Sequence, residues 1–587
     1  YTGGEVRLIE DVLPGIGPAT LPDSIDAFLV VTGDPWGSEY LPDHWALRAH
    51  LTGFTGSAGT LLLRRDAPHV LWTDSRYTLA ATERCRALGL VFHEQRRALR
   101  SELPEEAEGL AVGFDPETLS EAEVRRLEAA LEEVDARLIA VPDALRSGWT
   151  ENRPAEVAAP LFRIDPPEAS SLRLARLRDT MEEGESTLVG PEETAWFTHL
   201  RAFDVACNTT PHVRLWVPKT GDVLLLADPS RLTPALVDEL AREGIRVGSL
   251  ADIPRGTLLA DPERLPASLW RDLARAGFTL CETPSPVPLW MSVKCDEEIR
   301  RTKLALLEDA RAQIEWMARL EERLAAGEPL TEWDAAQMLV EERAKAEGYL
   351  CESFDPIVAF GPNAALPHYE TAPETAAPLE GNGLLLVDSG AHSRLGTTDT
   401  TRMFAIGTPS AEALAASTRV LQGTLALARA RFPEGTSGVA LDAVARAPLW
   451  TAGLDFGHGT GHGIGFAQSV HEGPLRISPR APDLLPVNAT LSDEPGYYAA
   501  GRFGIRWENT LRVVPDPEHE GFLAFETLTA LPLAREAFDA SLLTDEEIRQ
   551  IDAFHDRVRE ALLTRPLSER GRAWLLRETR PLGKDRS

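Results

Sequence analysis

Over the first 147 or so positions, apolar residues fall either in short β-prone runs or at helical spacing. IDAFLVVTG (25–33) predicts a buried strand, and GTLLLRRDAPHVLWTD (59–74) a hairpin turning around Arg65–Pro68. Ser120 followed by Glu123 forms a capping box, so SEAEVRRLEAALEEV is expected to start a helix there. WTENRPAEVAAP (149–160) has two prolines and no period, and reads as a linker. A second α/β unit spans roughly 155–290, with strands VRLWVP and DVLLLAD and a helix TPALVDELAREG ending on Gly244. PSPVPLWMSVKCDEE (284–298) marks the next boundary. Beyond it, EEIRRTKLALLEDARAQIEWMARLEERLAAG has the period of a long amphipathic helix. TEWDAAQMLVEERAKAEG has that of a second helix, with Thr331 and Asp334 at its start. From 354 to 535 strands and glycine turns dominate, with helices near 410–432 and 436–452. A polar helical tail opens with a capping box at Thr544 and Glu547. No internal repeat is visible. The expected division is α/β for 1–150, α/β again for 151–290, α+β for 291–535 and a helical extension for 536–587.

A chain of 587 residues exceeds what one hydrophobic core serves, which agrees with several domains. Its 91 acidic against 60 basic residues leave a net charge of −31. A surface that acidic repels phosphate backbones and anionic lipid, so neither nucleic acid nor membrane is an expected partner. Cys85, Cys207, Cys281, Cys295 and Cys351 are odd in number and scattered, which argues against a disulfide framework and for a reducing, cytoplasmic setting. YTGGEVRLIEDVLPG (1–15) shows no signal-peptide pattern, although the chain opens on tyrosine and not methionine. No apolar run approaches the ~18–20 residues needed to span a bilayer.

The chemistry concentrates between 352 and 512. GHGTGHGIGFAQSVHEGP (457–474) carries His458, His462 and His471 in a stretch too rich in glycine for a helix. GLLLVDSGAHSRLGTTDTTRMFAIG (383–407) reads as an antiparallel hairpin. With its turn on Ser393–Arg394, Asp388 and Asp399 stand directly opposite, with Cβ atoms about 5 Å apart, and a divalent cation between them removes the repulsion. A different turn register instead leaves one aspartate in a solvated loop. Glu494 precedes Pro495 and is extended, Pro495–Gly496 makes a turn, and Glu508 falls in the next strand on the same face as Arg506. Asp388, Asp399, Glu494 and Glu508 form a set too costly to gather without cations. Two divalent ions balance the four carboxylates. One added imidazole makes an oxygen-rich two-metal site that suits manganese, cobalt or iron better than a sulfur-type zinc site.

VDSGA, GTTDTTR, HGTGHGIG, VHEGP, DEPGYY and RWEN, in that order, resemble the catalytic domain of the pita-bread metallopeptidases. The closer resemblance is to the long, three-domain, cytosolic Xaa-Pro aminopeptidases. HLTGFTGSAGTLLL, LWTDSRYTLAA and ETAWFTHLRAFDVACN are similar to that family's first two domains, and FETLTALPL onward to its C-terminal extension. The resemblance implies two creatinase-like α/β domains, a pita-bread α+β catalytic domain and a helical extension. It further implies metal ligands Asp388, Asp399, His462, Glu494 and Glu508, with Asp399 and Glu508 bridging two divalent ions. Manganese is the first expectation for these, with cobalt, iron or zinc as alternatives. His368 and His471 are implied to contact the scissile carbonyl and the tetrahedral intermediate, His458 to line the substrate pocket, and Arg506 to support the bridging glutamate.

The implied activity is hydrolysis of the first bond of peptides with proline second, through a hydroxide bridging the two metal ions. Glu494 moves the proton to the proline nitrogen, and the substrate's free amine rests on one ion. A homodimer is implied as well. The competing readings are a prolidase confined to dipeptides, a metal-free creatinase-like hydrolase, and a non-catalytic chaperone or binding protein. Retention of all five ligands weighs against the last two.

Overall fold

Strand β1 (Ala27–Val30) is buried at every position, and its neighbours explain why. It pairs antiparallel with β2 (Thr60–Arg64) on one side and parallel with β5 (Ala111–Phe114) on the other. With β3 (Val70–Thr73), β4 (Val91–Glu94) and β6 (Arg137–Ala140) these form a six-stranded sheet of order β4-β3-β2-β1-β5-β6. The hairpin expected at 59–74 is β2–β3, and helix α1 (Glu121–Glu132) starts at the Ser120–Glu123 capping box. The computed structural model describes residues 22–583, so the N-terminal stretch read above for a leader lies outside the described residues.

A second six-stranded sheet follows: β7 (Glu185–Val189), β8 (Arg214–Pro218), β9 (Val223–Leu226), β10 (Ile245–Gly248), β11 (Thr257–Ala260) and β12 (Thr279–Glu282). Its order is β10-β9-β8-β7-β11-β12, the same topology as the first, with the same parallel and antiparallel pairs at equivalent places. The chain therefore contains a structural repeat that residue identities do not display. Helix α2 (Pro234–Arg242) is capped by the Thr233 hydroxyl, and Gly244 just beyond it has φ +75°.

The chain divides into two compact units, residues 1–206 with 210–286 and residues 207–209 with 287–587. In the second, α3 (Asp296–Ala325) opens on Asp296, Glu297 and Glu298, which complement the positive end of the helix dipole. Helix α4 (Glu332–Arg343) begins at the predicted Thr331–Asp334 capping box. Two three-stranded sheets come next. One contains β13 (Tyr349–Glu352), β16 (Ala391–Ser393) and β17 (Gly396–Thr397), and the other β14 (Ile357–Phe360), β15 (Gly383–Ser389) and β18 (Thr400–Ile406). Helix α5 (Ala411–Ala428) is shorter than expected, because residues 431–433 turn into strand β19 (Arg431–Pro433). Helix α6 (Gly438–Trp450) follows.

The remaining strands are β20 (Gly461–Gly463), β21 (Glu472–Ile477), β22 (Thr490–Asp493), β23 (Gly496–Ala499), β24 (Phe503–Arg506), β25 (Asn509–Pro515) and β26 (Phe522–Thr527). Five of them join β19 in the sheet β19-β26-β25-β22-β20-β21, and β23 pairs with β24 alone. Helices α7 (Asp545–Leu562) and α8 (Glu569–Glu578) close the chain, the former at the predicted Thr544–Glu547 box. Their apolar faces (Ile551, Val558, Leu562, Trp574 and Leu575) join the same core as α3, α4, β14 and β15. Among the described residues no helix is long and apolar enough to cross a membrane.

Three local expectations need correction. The hairpin turn falls on Arg394–Leu395, not Ser393–Arg394, because the Ser393 hydroxyl accepts from the Leu395 amide and donates to the Gly396 carbonyl, which keeps Ser393 on the strand. Moving the turn by one residue shifts every pair by two, so Asp388 stands opposite Thr401 and not Asp399. Pro495–Gly496 is no tight reversal but the point where the chain leaves β22 for β23. Glu508 lies in the two-residue break between β24 and β25, outside either ladder.

Candidate metal centre

Asp399 follows the small β16–β17 excursion and is 4% exposed. His462 is the middle residue of β20, and Glu508 fills the break before β25. One ligand atom from each of these three residues lies within 4.8 Å of the other two. His462 Nε2 is 3.4 Å from Asp399 Oδ2 and 3.3 Å from Glu494 Oε1. His462 Nδ1 is 2.9 Å from the Gly463 carbonyl, which only accepts, so Nδ1 carries a proton and Nε2 is the nitrogen that faces the acids. The ring of His471 lies tilted against that of His462, with centroids 4.3 Å apart.

The glycines around His462 have a structural task. A Cβ on Gly461 falls 2.0 Å from the Ser492 carbonyl oxygen, and one on Gly463 2.2 Å from that of Glu472. Only glycine lets β20 lie against both neighbouring strands at this closeness. The stretch thus carries a ligand-type imidazole on a strand where a larger residue on either side breaks the sheet.

Asp388 closes the site from β15. Its Oδ2 accepts from Arg506 Nη2 at 2.6 Å and Nε at 3.2 Å. Arg506 Nη1 donates to the Tyr498 hydroxyl at 2.7 Å, and that hydroxyl lies 2.8 Å from His458 Nε2. His458 Nδ1 in turn is 2.8 Å from the Gly459 carbonyl. Arginine only donates and the carbonyl only accepts, so the hydrogen-bond direction along this line is fixed: Arg506 to Tyr498, Tyr498 to His458. Thr401 donates to Glu508 Oε2 at 2.8 Å, and Ser492 to Glu494 Oε1 at 3.1 Å while accepting the His462 amide at 2.9 Å.

Burial, then the charges of Asp388 and Glu494, push the Asp399 carboxyl well above its ordinary range. Burial followed by Asp399, Asp388 and Glu494 does the same to Glu508. Glu494 is raised as well, by burial first. An uncompensated buried charge costs several kcal/mol, comparable with the whole ~5–15 kcal/mol stability of a domain, so four carboxylates against one buried guanidinium require further positive charge. Asp388 Oδ1 and Glu508 Oε1 are buried and accept no hydrogen bond. Four hard carboxylates and one imidazole with Nε2 turned to them, two of the acids with an orphaned oxygen, fit divalent cations of the manganese, cobalt or iron type.

The structure therefore gathers Asp388, Asp399, His462, Glu494 and Glu508, with His471 against His462 and Arg506 against Asp388. His458 reaches the group through Tyr498. His368 is half-buried in the loop after β14. That loop is held by Glu332, whose carboxylate accepts from the amides of Phe360 and Ala377, from Asn363 Nδ2 and from the Tyr369 hydroxyl. Its first turn (Gly361–Ala365) packs on β24, where Gly504 leaves no room for a Cβ. Glu332→Gln sets an amide nitrogen against these donors and is expected to cost on the order of 3 kcal/mol. Hydrogen exchange restricted to 361–377 checks this: unchanged protection there contradicts the anchoring role.

Tyr498, Thr401, Ser492 and Glu332 escape sequence reasoning, since each acts through a partner more than 30 positions away in the chain or through a neighbour whose direction only the fold sets. His392 and His212, which lie outside the motifs quoted above for the metal centre, are structural. His392 is fully buried and bonds to Thr397 Oγ1 and the Cys207 carbonyl, while His212 stacks on Trp36 and meets Ser38 Oγ.

Residues 304–515 match the family model for metallopeptidase family M24, and 521–582 that for the C-terminal region of this family. Residues 23–147 and 152–298 each match a creatinase/prolidase N-terminal domain. Aminopeptidase P2 of Arabidopsis thaliana is 33% identical over 97% of this chain and 87% of its own length. A probable Xaa-Pro aminopeptidase P of Sordaria macrospora is 33% identical over 95% of this chain and 97% of its own. The crystal structure of an X-prolyl aminopeptidase from Caenorhabditis elegans, described as a cytosolic enzyme with a di-nuclear active site, superposes with a TM-score of 0.87 at 27% identity, covering 95% of this chain and 96% of that one. Likeness over nearly the full length, through both N-terminal domains and the extension, places this chain in the aminopeptidase P group of metallopeptidase family M24.

Proposed function

We propose that this protein is a Xaa-Pro aminopeptidase that hydrolyses the first peptide bond of peptides with proline in second position. The carrying observation is the buried set of four carboxylates around the imidazole Nε2 of His462, against which, among the described residues, Arg506 is the buried cation that pairs with a carboxylate of the set. In this reading Asp388, Asp399, His462, Glu494 and Glu508 would hold two divalent ions, manganese first. When bound, such ions lower the pKa of a water and polarise the scissile carbonyl.

The chain's own residues do the rest. Glu494 accepts a proton from the attacking water and returns it to the departing proline nitrogen, which as a tertiary amide nitrogen leaves only when protonated. The Ser492 hydroxyl holds Oε1 of Glu494, which aims the carboxylate. His471 and His368 donate hydrogen bonds to the oxygen that gains charge as the carbonyl becomes tetrahedral. Arg506 holds Asp388 in place and keeps the Tyr498 hydroxyl directed at His458, which lines the pocket. The C. elegans relative is a cytosolic enzyme, and the same compartment is our reading for this chain, as a homodimer. Val439 and Trp450, both exposed, lie on one face of α6 and offer apolar area for such pairing.

Incubation with Arg-Pro-Pro and with the dipeptide Gly-Pro, in manganese and then in chelator, is the test. Release of arginine from the tripeptide, abolished by chelator and restored by manganese, is expected. Cleavage of the dipeptide alone makes the protein a prolidase, and turnover that survives complete ion removal defeats the metal reading.

A further inference from the structure

Arg402 follows Thr401 in β18, so the two side chains point to opposite faces of the strand. Thr401 meets the Glu508 carboxylate, and Arg402 is wholly buried behind it. A guanidinium has five N–H donors, and all five are used here. Nε donates to the Pro532 carbonyl at 3.1 Å. Nη1 donates to the carbonyls of Thr401 at 2.9 Å and Glu508 at 2.5 Å. Nη2 donates to Asn509 Oδ1 at 2.8 Å and the Leu531 carbonyl at 2.7 Å. None of the five acceptors is a carboxylate. A buried arginine spent on backbone carbonyls is arranged to fix chain positions, not to balance an adjacent acid.

What it fixes is a part of the site that the sheets leave loose. The β23–β24 ladder ends at Arg506 and the β22–β25 ladder starts at Asn509, so Glu508 belongs to neither. Its carbonyl is held by Arg402 and its amide by the Thr401 carbonyl at 3.2 Å. The other side of the same guanidinium grips Leu531 and Pro532, which lead into the C-terminal extension. That segment is itself anchored to the extension. The Leu533 amide donates to His555 Nε2 of α7 at 3.1 Å, and the Arg535 amide to Glu578 Oε2 of α8 at 2.8 Å.

We infer that Arg402 is a positioning residue for the metal centre. By joining the Leu531–Pro532 carbonyls to the Glu508 carbonyl, it makes the C-terminal extension set where the Glu508 carboxylate stands. The inference rests on the reading of Glu508 as an ion ligand.

Full-length Arg402→Lys and Asn509→Ala test it by titration with Co(II) in the absence of substrate, with the visible Co(II) spectrum and thermal unfolding recorded alongside. Lysine keeps the charge but cannot span five acceptors. Asn509→Ala removes a single acceptor and preserves the fold should Arg402→Lys fail to express. The wild type is expected to bind two Co(II) per chain. Arg402→Lys is expected to weaken ion binding about 10–100-fold and to alter the Co(II) spectrum, and Asn509→Ala to shift affinity and spectrum in the same direction by less. In turnover, kcat should fall more than KM rises. Lower thermal stability with both ion affinities and the spectrum unchanged overturns the inference and leaves Arg402 a fold residue. A wild type that binds no Co(II) removes the reading of Glu508 instead, so the two failures are distinguishable.

Discussion

Glu494→Gln is expected to lower kcat by roughly 10²–10⁴ with KM little changed, the range typical of a lost general acid–base group. Glutamine keeps the size of the side chain and an oxygen that still accepts from Ser492, so the local structure persists. What it cannot do is take a proton from water and return it to a tertiary amide nitrogen. Because Glu494 Oε1 also lies 3.3 Å from His462 Nε2, the substitution touches the ligand set too, and bound metal must be counted beside the rate. Loss of turnover at full ion content assigns the defect to proton transfer. Loss in proportion to ion content makes Glu494 a ligand alone. Turnover that survives the substitution contradicts both roles.

The second large effect concerns ions and pH together. In the ion-free chain, burial and mutual repulsion hold the Asp399, Glu494 and Glu508 carboxyls above their ordinary range. Between the unfolded pKa of about 4 and these raised values, the folded protein binds more protons than the unfolded one. Stability then falls as pH rises, since its slope with pH follows protons bound in the unfolded minus the folded state. Divalent ions reverse the sign, because they take the place of the protons and bind more tightly as those leave. Chelated protein should therefore lose thermal stability between about pH 5 and 8 while metal-loaded protein does not. The gap between the two should widen with pH, reaching about 2.7 kcal/mol or more where free metal exceeds its dissociation constant a hundredfold. Paired thermal melts across that range, with and without manganese, measure it. A gap independent of pH would mean that the acids do not share the ion site.

Helix starts were legible because their cause is local. Ser120–Glu123, Thr331–Asp334 and Thr544–Glu547 each satisfy backbone donors within three residues, and all three helices begin where those pairs lie. The five residues that converge were legible too, from motif order. The register of the β15–β18 hairpin was not. It hangs on which residue closes the turn, and the Ser393 hydroxyl settles that through two hydrogen bonds no pattern of apolar residues encodes. The repeated topology of the two N-terminal sheets was hidden for a related reason: strand order depends on which buried faces meet, and many sequences satisfy the same faces.

The chain's order of residues alone determined the elements, the domain sequence and the identity of the acids and histidines, since capping, periodicity and side-chain chemistry act at short range or belong to single residues. Only the folded protein decided how those groups are oriented. It set Asp388 against Arg506, aimed Tyr498 at His458, and brought Arg402 to hold Glu508 against Leu531, much further along the chain. Those contacts join parts of the chain brought together by burial, and their geometry exists only once the core that excludes water has formed.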